Sequence, residues 1–175
     1  FSSEQNITPD GLIVDGVDEI RRAIRQEIKF GSDWIKLLVT GAFMSAGDNP
    51  NNVHFSAQEL RAAVDEARRF GVPVAAHAHA TAGIRMAVEA GVRSIEHGTY
   101  IDNDTMDLMS TRGTFLVPTL YIGDVLGEED SNFREKDINI AFKKHGQKEW
   151  LTRVGEAYRR GVRIAAGVDM GGYHH

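Results

Sequence analysis

Five times along the chain a helix-like stretch closes on a residue followed by glycine, and a short apolar run opens one to three residues later. The joints are Phe30-Gly31, Phe70-Gly71, Ala90-Gly91, Arg112-Gly113 and Arg160-Gly161. Glycine is the residue that accepts the positive φ with which helices end. The runs that follow, 34–39, 72–76, 94–96, 114–117 and 162–168, are short and rich in Val and Ile, and read as strands. Strands that alternate with helices pair in parallel, because a crossover helix is what joins parallel neighbours. The expected class is therefore α/β.

The helical stretches are amphipathic. In 57–70, Leu60, Ala63, Val64 and Ala67 fall on one face and Arg61, Asp65, Glu66 and Arg68 on the other, behind a Ser56-x-x-Glu59 capping box. Stretch 17–30 turns Val17, Ile20, Ala23, Ile24 and Ile28 inward, and 147–160 does so with Trp150, Leu151, Val154 and Tyr158. Two segments, 42–55 and 121–146, break the rhythm after a strand. Long loops at that position are where such proteins place substrate contacts.

Composition removes several functions. With 20 Lys plus Arg against 25 Asp plus Glu, the chain offers no basic footprint for nucleic acid or an anionic membrane. It has no cysteine, which excludes disulfides, thiolate metal sites and Cys nucleophiles. Apolar runs such as 72–76 and 164–166 fall far short of the roughly 20 residues of a membrane helix. Ser2, Ser3, Ser45 and Ser110 lack a Gly-x-Ser-x-Gly setting, which argues against Ser-His-Asp chemistry. The chain opens on Phe1 without Met, so the true amino end is expected to be missing. A cytoplasmic location is expected and secretion stays open.

The chemistry lies where apolar strands stop on polar residues. Lys36 interrupts Ile35–Val39, His77 follows Val74-Ala75-Ala76, His97 follows Ser94-Ile95-Glu96, and Asp169 follows 164–168. Taken singly, each has an ordinary reading: a hydrogen-bonded structural histidine, an N-cap aspartate, a lysine that snorkels outward. Together they would converge on one edge of one parallel sheet, and two imidazoles with a carboxylate suit a zinc-like divalent ion. An ammonium repels metal, but Lys36 becomes an anionic bridging ligand if carbon dioxide carboxylates its nitrogen.

These four positions, with His77 in Val74-Ala75-Ala76-His77-Ala78-His79, His97 in Ser94-Ile95-Glu96-His97-Gly98 and Asp169 in Gly167-Val168-Asp169-Met170-Gly171, resemble the amidohydrolase superfamily. More narrowly they are similar to its dipeptidase branch, with Xaa-Pro dipeptidases, carboxypeptidases releasing basic residues and ochratoxinase-like amidases, and imidazolonepropionases nearby. The resemblance runs from residue 17 to 175. It implies a (β/α)8 TIM barrel with two divalent metal ions, expected to be zinc. Lys36 would be the carbamate bridge of strand 4, His77 and His97 the ligands of strands 5 and 6, and Asp169 the strand 8 ligand and general base. The implied reaction is hydrolysis of an amide or peptide bond of a dipeptide or N-acyl amino acid by a metal-bound hydroxide.

One element of the family pattern is missing, the His-x-His of strand 1. The pair His77-x-His79 comes after Lys36 and one short unit before Glu96-His97-Gly98, which fits strand 5. His79 is then expected to point away from His77 or to begin the loop, as a substrate contact or a structural residue. Five βα units fall short of the eight that close a barrel of about 250 residues. Residues 1–175 are expected to be strands 4–8 of a metal-dependent hydrolase barrel, inactive alone.

Candidate substrate contacts are His54, Tyr100, Tyr121, Arg134 and Tyr173, with His174 and His175 close behind Asp169. The expected partner is a small molecule or dipeptide, not nucleic acid or membrane, and homo-oligomerisation stays open. The rival readings are a mononuclear deaminase, for which Lys36 is an awkward feature, a cyclic-amide hydrolase of the same superfamily, and an inactive fragment that only folds or associates.

Overall fold

Each of the five glycine joints takes left-handed backbone, with φ of 97° at Gly31, 71° at Gly71, 97° at Gly91, 68° at Gly113 and 84° at Gly161. The computed structural model describes residues 12–43, 48–122 and 146–169. In chain order the elements are α1 (Val17–Lys29), β1 (Ile35–Leu38), α2 (Ala57–Arg68), β2 (Val74–Ala78), α3 (Thr81–Ala90), β3 (Ser94–His97), α4 (Asn103–Arg112), β4 (Phe115–Val117), α5 (Gln147–Arg159) and β5 (Arg163–Ile164).

All five strands are parallel and lie in sequence order, β1-β2-β3-β4-β5. A doubly wound sheet reverses its strand order at a switch point, and this one never does. Right-handed crossovers then carry every helix to the same face. Accordingly α1 packs on α2, α2 on α3 and α3 on α4. The fold is α/β, a partial (β/α)8 barrel of five units.

The main core lies between helices and sheet. Ile35, Leu37 and Val39 of the β1 segment, Val74, Ala76 and Ala78 of β2, Ile95 of β3 and Leu116 of β4 are buried against the helices. The opposite face is inward and open at its first edge, where β1 alternates buried and exposed, with Lys36 and Leu38 exposed. Register lines up Leu38 with His77 and His77 with Glu96, which sets the inward residues of three strands side by side.

Four local expectations are corrected. Strand β2 runs to Ala78, so His77 lies within it rather than past its end. Strand β5 pairs only at Arg163 and Ile164, because its partner β4 is three residues long. Glu66, placed by periodicity on the solvent face, is 3% exposed, where Arg25 Nε donates to it at 2.6 Å and Arg69 lies at 3.3 Å. On α5, Trp150 is buried as expected, but Leu151 and Tyr158 are 48% and 71% exposed and Ala157 packs instead.

The capping box at Ser56 forms as expected, with Ser56 Oγ accepting from the Glu59 N–H at 3.2 Å and Glu59 accepting from the Ser56 N–H at 2.8 Å. No described helix is long and apolar enough to cross a membrane.

Candidate metal centre

Residues i and i+2 of a strand share a face. His79 therefore stands beside His77 instead of opposite it, with ring centroids 4.6 Å apart, and the expectation that it points away is corrected. His97 arrives from β3, 4.6 Å from His77 and 4.8 Å from His79. One nitrogen from each of the three imidazoles lies within 4.8 Å of the others, and all three residues are buried.

Alternation along β3 would turn His97 outward with Ile95. Its φ of 70° breaks the alternation and brings the ring to the cluster. Among the described residues, the non-glycine positions with positive φ are His97, Thr119 at 49° and Asp169 at 56°, all at this edge of the sheet. Such conformers cost about 1–3 kcal/mol each and persist where the surroundings enforce them.

The enforcing contacts are specific. Thr119 Oγ1 lies 2.7 Å from His97 Nδ1, and the Trp150 indole N–H donates to the His97 carbonyl at 3.0 Å. Thr99 Oγ1 lies 2.8 Å from His79 Nδ1, while the His79 backbone N–H donates to Thr40 Oγ1 at 2.9 Å. The Phe43 ring meets His79 edge-on at 4.7 Å. Phe43, Trp150 and Ile122 form a second small core beside the imidazoles, with Tyr100 packed against it.

Burial holds all three imidazoles neutral. His77 is pushed down to about 4, mainly by burial and further by Lys36, against a raising contact from the Gly41 carbonyl. His79 and His97 lie well below the ordinary histidine value, again mainly through burial and then through neighbouring imidazoles. Lys36 is lowered by the protein packed around its ammonium, with Glu96 and Asp169 opposing the shift. Glu96 itself accepts from Ser94 Oγ at 2.6 Å. Converging neutral imidazoles are the donor set that a borderline divalent cation such as zinc selects, so the residues present fit a metal.

At the C-terminal edge of the sheet Lys36 lies within electrostatic reach of His77, His97 and Asp169, and the exposed Asp169 acts on His77 as well. Tyr100 sits 6.2 Å from Phe43, and the half-buried phenol is held above its ordinary value by burial and then by Glu149. His54 belongs to the loop after β1, with Nδ1 3.3 Å from the Leu38 carbonyl and Nε2 3.4 Å from Asp48. It does not join the imidazole cluster. Tyr121 is 43% exposed. Arg134, Tyr173, His174 and His175 lie outside the described residues.

The model of the amidohydrolase family matches residues 2–174. This chain belongs to the amidohydrolase family. It is 36% identical to the ochratoxinase of Aspergillus niger over 90% of the chain and 32% of that protein. Among solved structures, it is similar to a Xaa-Pro dipeptidase with methionine bound in the active site, at 38% identity and TM-score 0.82 over 93% of the chain and 40% of that one. A prolidase complexed with N-methylphosphonate-L-proline gives 32% identity and TM-score 0.83 over 95% of the chain and 43% of that one. The amidohydrolase chain thus falls in the ochratoxinase and dipeptidase branch. It spans about a third of the curated ochratoxinase's length.

Sequence reasoning missed Thr40, Thr99, Thr119 and Phe43 as parts of this site, and saw Trp150 only as a core residue. Thr99, two residues past His97, and Thr40, just past β1, carried a usable signal: a hydroxyl at the C-terminal end of a parallel strand faces the same edge as the histidines. Thr119, two residues past β4, carried the same signal, whereas Trp150 carried none, because it lies on a helix and its partner His97 is 53 residues away.

Proposed function

We propose that the full protein is a metal-dependent hydrolase of an amide or peptide bond in a dipeptide or N-acyl amino acid, and that this chain supplies strands 4–8 of its barrel. The observation that carries the proposal is the convergence of neutral, buried His77 and His97 with Lys36 and Asp169 at one sheet edge. The solved dipeptidase and prolidase and the curated ochratoxinase, each at least 32% identical, support that substrate class.

In this reading His77, His97 and Lys36 would hold zinc-type divalent metal, two ions in the full protein, with Asp169 beside them. The metal would supply Lewis acidity and an activated water, whose pKa a bound divalent ion lowers toward about 7. Lys36 would serve as an anionic ligand once its neutral Nζ has bonded to carbon dioxide and released a proton to become a carbamate. The hydrogen bonds of His97 Nδ1 with Thr119 and of His79 Nδ1 with Thr99 would leave each Nε2 available, that of His97 to the cation and that of His79 to the substrate carbonyl. Asp169 takes a proton from the attacking water and delivers it to the amine nitrogen as the C–N bond breaks.

The test is an assay of the full-length protein with zinc and bicarbonate against Xaa-Pro, Xaa-Arg and N-acyl amino acid substrates. Release of free amino acid is expected, with Asp169→Asn losing about 100-fold or more in kcat, the scale of a positioned base. Ammonia as the sole product would point to a deaminase instead. Absence of hydrolysis across the panel would overturn the reading. Residues 1–175 alone should turn over well below about 1 per second, a common lower value for working enzymes.

A further inference from the structure

The sharpest constraint on His97 comes from a helix that contributes no ligand. Trp150, on the first turn of α5, is 2% exposed and donates its indole N–H to the His97 carbonyl at 3.0 Å, across 53 residues of sequence. That carbonyl belongs to a residue at φ 70°, followed by Gly98 at φ 62°. Two consecutive left-handed residues aim the peptide plane and the imidazole together. A hydrogen bond that fixes the plane therefore also fixes the direction in which the ring leaves the backbone.

Thr119 fixes the other end of the same ring through Nδ1 at 2.7 Å. The imidazole of His97 is thus held from two elements, the segment after β4 and helix α5, while the sheet alone would turn it outward. In its small core Trp150 packs with Phe43 and Ile122, and Tyr100, Leu120 and Val154 lie against them. The indole N–H adds to this packing a directed bond to the backbone of His97.

We infer that Trp150 is a positioning residue for the metal centre: its indole N–H holds the His97 carbonyl, and so the left-handed turn that swings the His97 imidazole into the cluster. The inference rests on the proposed reading of His97 as a ligand and deepens it. It also assigns α5 a function, because displacement of this helix would be felt at the centre through one hydrogen bond. Contacts that orient a ligand typically govern 10–100-fold in metal affinity. One acting through the backbone belongs near the lower end, at about tenfold.

Trp150→Phe keeps an aromatic ring in the small core and removes the donor together with some ring volume, so a variant that loses core volume alone is needed beside it. Val154→Ala, one turn further along α5, weakens the same core and leaves the Trp150 indole N–H and its bond to the His97 carbonyl in place. Both variants and the wild type, each as the full-length protein, are compared in two ways: Co(II) titration followed by visible absorption, and the nitrogen-15 resonances of the His97 ring in the metal-free state. The expected result is a shifted His97 ring spectrum and about tenfold weaker Co(II) binding for Trp150→Phe. Val154→Ala should lose thermal stability with unchanged His97 resonances and Co(II) affinity. Equal behaviour of the two variants, or an undisturbed His97 ring in Trp150→Phe, would overturn the inference. If the wild type itself binds no Co(II), the metal reading fails, and the ring resonances alone decide whether Trp150 positions His97.

Discussion

On the helix-facing side of the sheet, Ile35, Leu37, Ala76, Ile95 and Leu116 are each at most 8% exposed, whereas on the inner side Leu38 is 45% exposed, with Lys36 open on the same strand and Arg163 open at the far edge. The outer face is apolar, uses ordinary strand geometry and would accept other residues of similar volume. At its C-terminal edge the inner side does the reverse: it carries neutral imidazoles, a lysine with a lowered pKa and three left-handed non-glycine residues among those described. Burial on one side fixes the strands firmly enough for the other side to keep groups that contribute little to stability and are arranged for binding.

Substitutions can break this contrast, and the largest effect is expected in the outer layer. Leu60, fully buried on α2 in the main core, should cost about 2–5 kcal/mol as Leu60→Ala in denaturant unfolding, the range for a deleted core leucine. Metal affinity of the remaining folded protein should not change. If it does, the two faces are not separable.

Lys36→Ala inverts that pattern. Stability should hold or rise slightly, while bound metal in the full-length protein falls about 100-fold or more, near 2.8 kcal/mol at 1.4 kcal/mol per tenfold. A short carboxylic acid added in solution should restore part of it by filling the place of the carbamate. Unchanged metal content would show Lys36 to be structural.

An intermediate outcome is expected where the faces meet. Thr40 is 1% exposed and accepts the His79 N–H, so Thr40→Val keeps the shape and leaves a buried donor unpaired. The expected cost is about 1 kcal/mol in stability, measured by unfolding, with a small loss of metal affinity. A change in neither would remove Thr40 from the account.

The smallest effect concerns Glu66, a charge buried among the outer helices. Its pKa is depressed, chiefly by the Arg25 hydrogen bond, so its contribution is complete above the ordinary carboxylate value and fades as pH falls through the folded value. Glu66→Gln should therefore lower the melting temperature slightly near neutrality and match the wild type in acid. It should not alter metal binding, and a difference that widens on acidification would contradict the assignment.

How much of this was legible depended on whether the cause was local. The five glycine joints, the Ser56 capping box and the α2 face are set by residues within a few positions, and the sequence showed each of them. Lys36, His77 and His97 stood out because each interrupts an apolar strand. The direction of His79 is legible too once β2 is seen to continue to Ala78, since positions two apart share a strand face. What lay beyond reach depended on distant partners: Glu66 is buried by Arg25, 41 residues away, and His97 turns inward through a left-handed backbone held by Thr119 and Trp150. Leu151 and Tyr158 share the apolar stripe of α5, yet the packed surface beneath it is narrow and ends at Trp150, Val154 and Ala157.

The central claim is that His77 and His97 jointly hold a divalent cation at the sheet edge. Its most direct measurement is a Co(II) titration of the metal-stripped full-length protein with bicarbonate present, read by visible absorption, beside His77→Ala and His97→Ala. The account predicts saturable ligand-field bands in the wild type and their weakening in each single variant, with both variants still folded by circular dichroism. Bands of equal strength in the wild type and in both folded variants would contradict it, as would a wild-type protein that shows none.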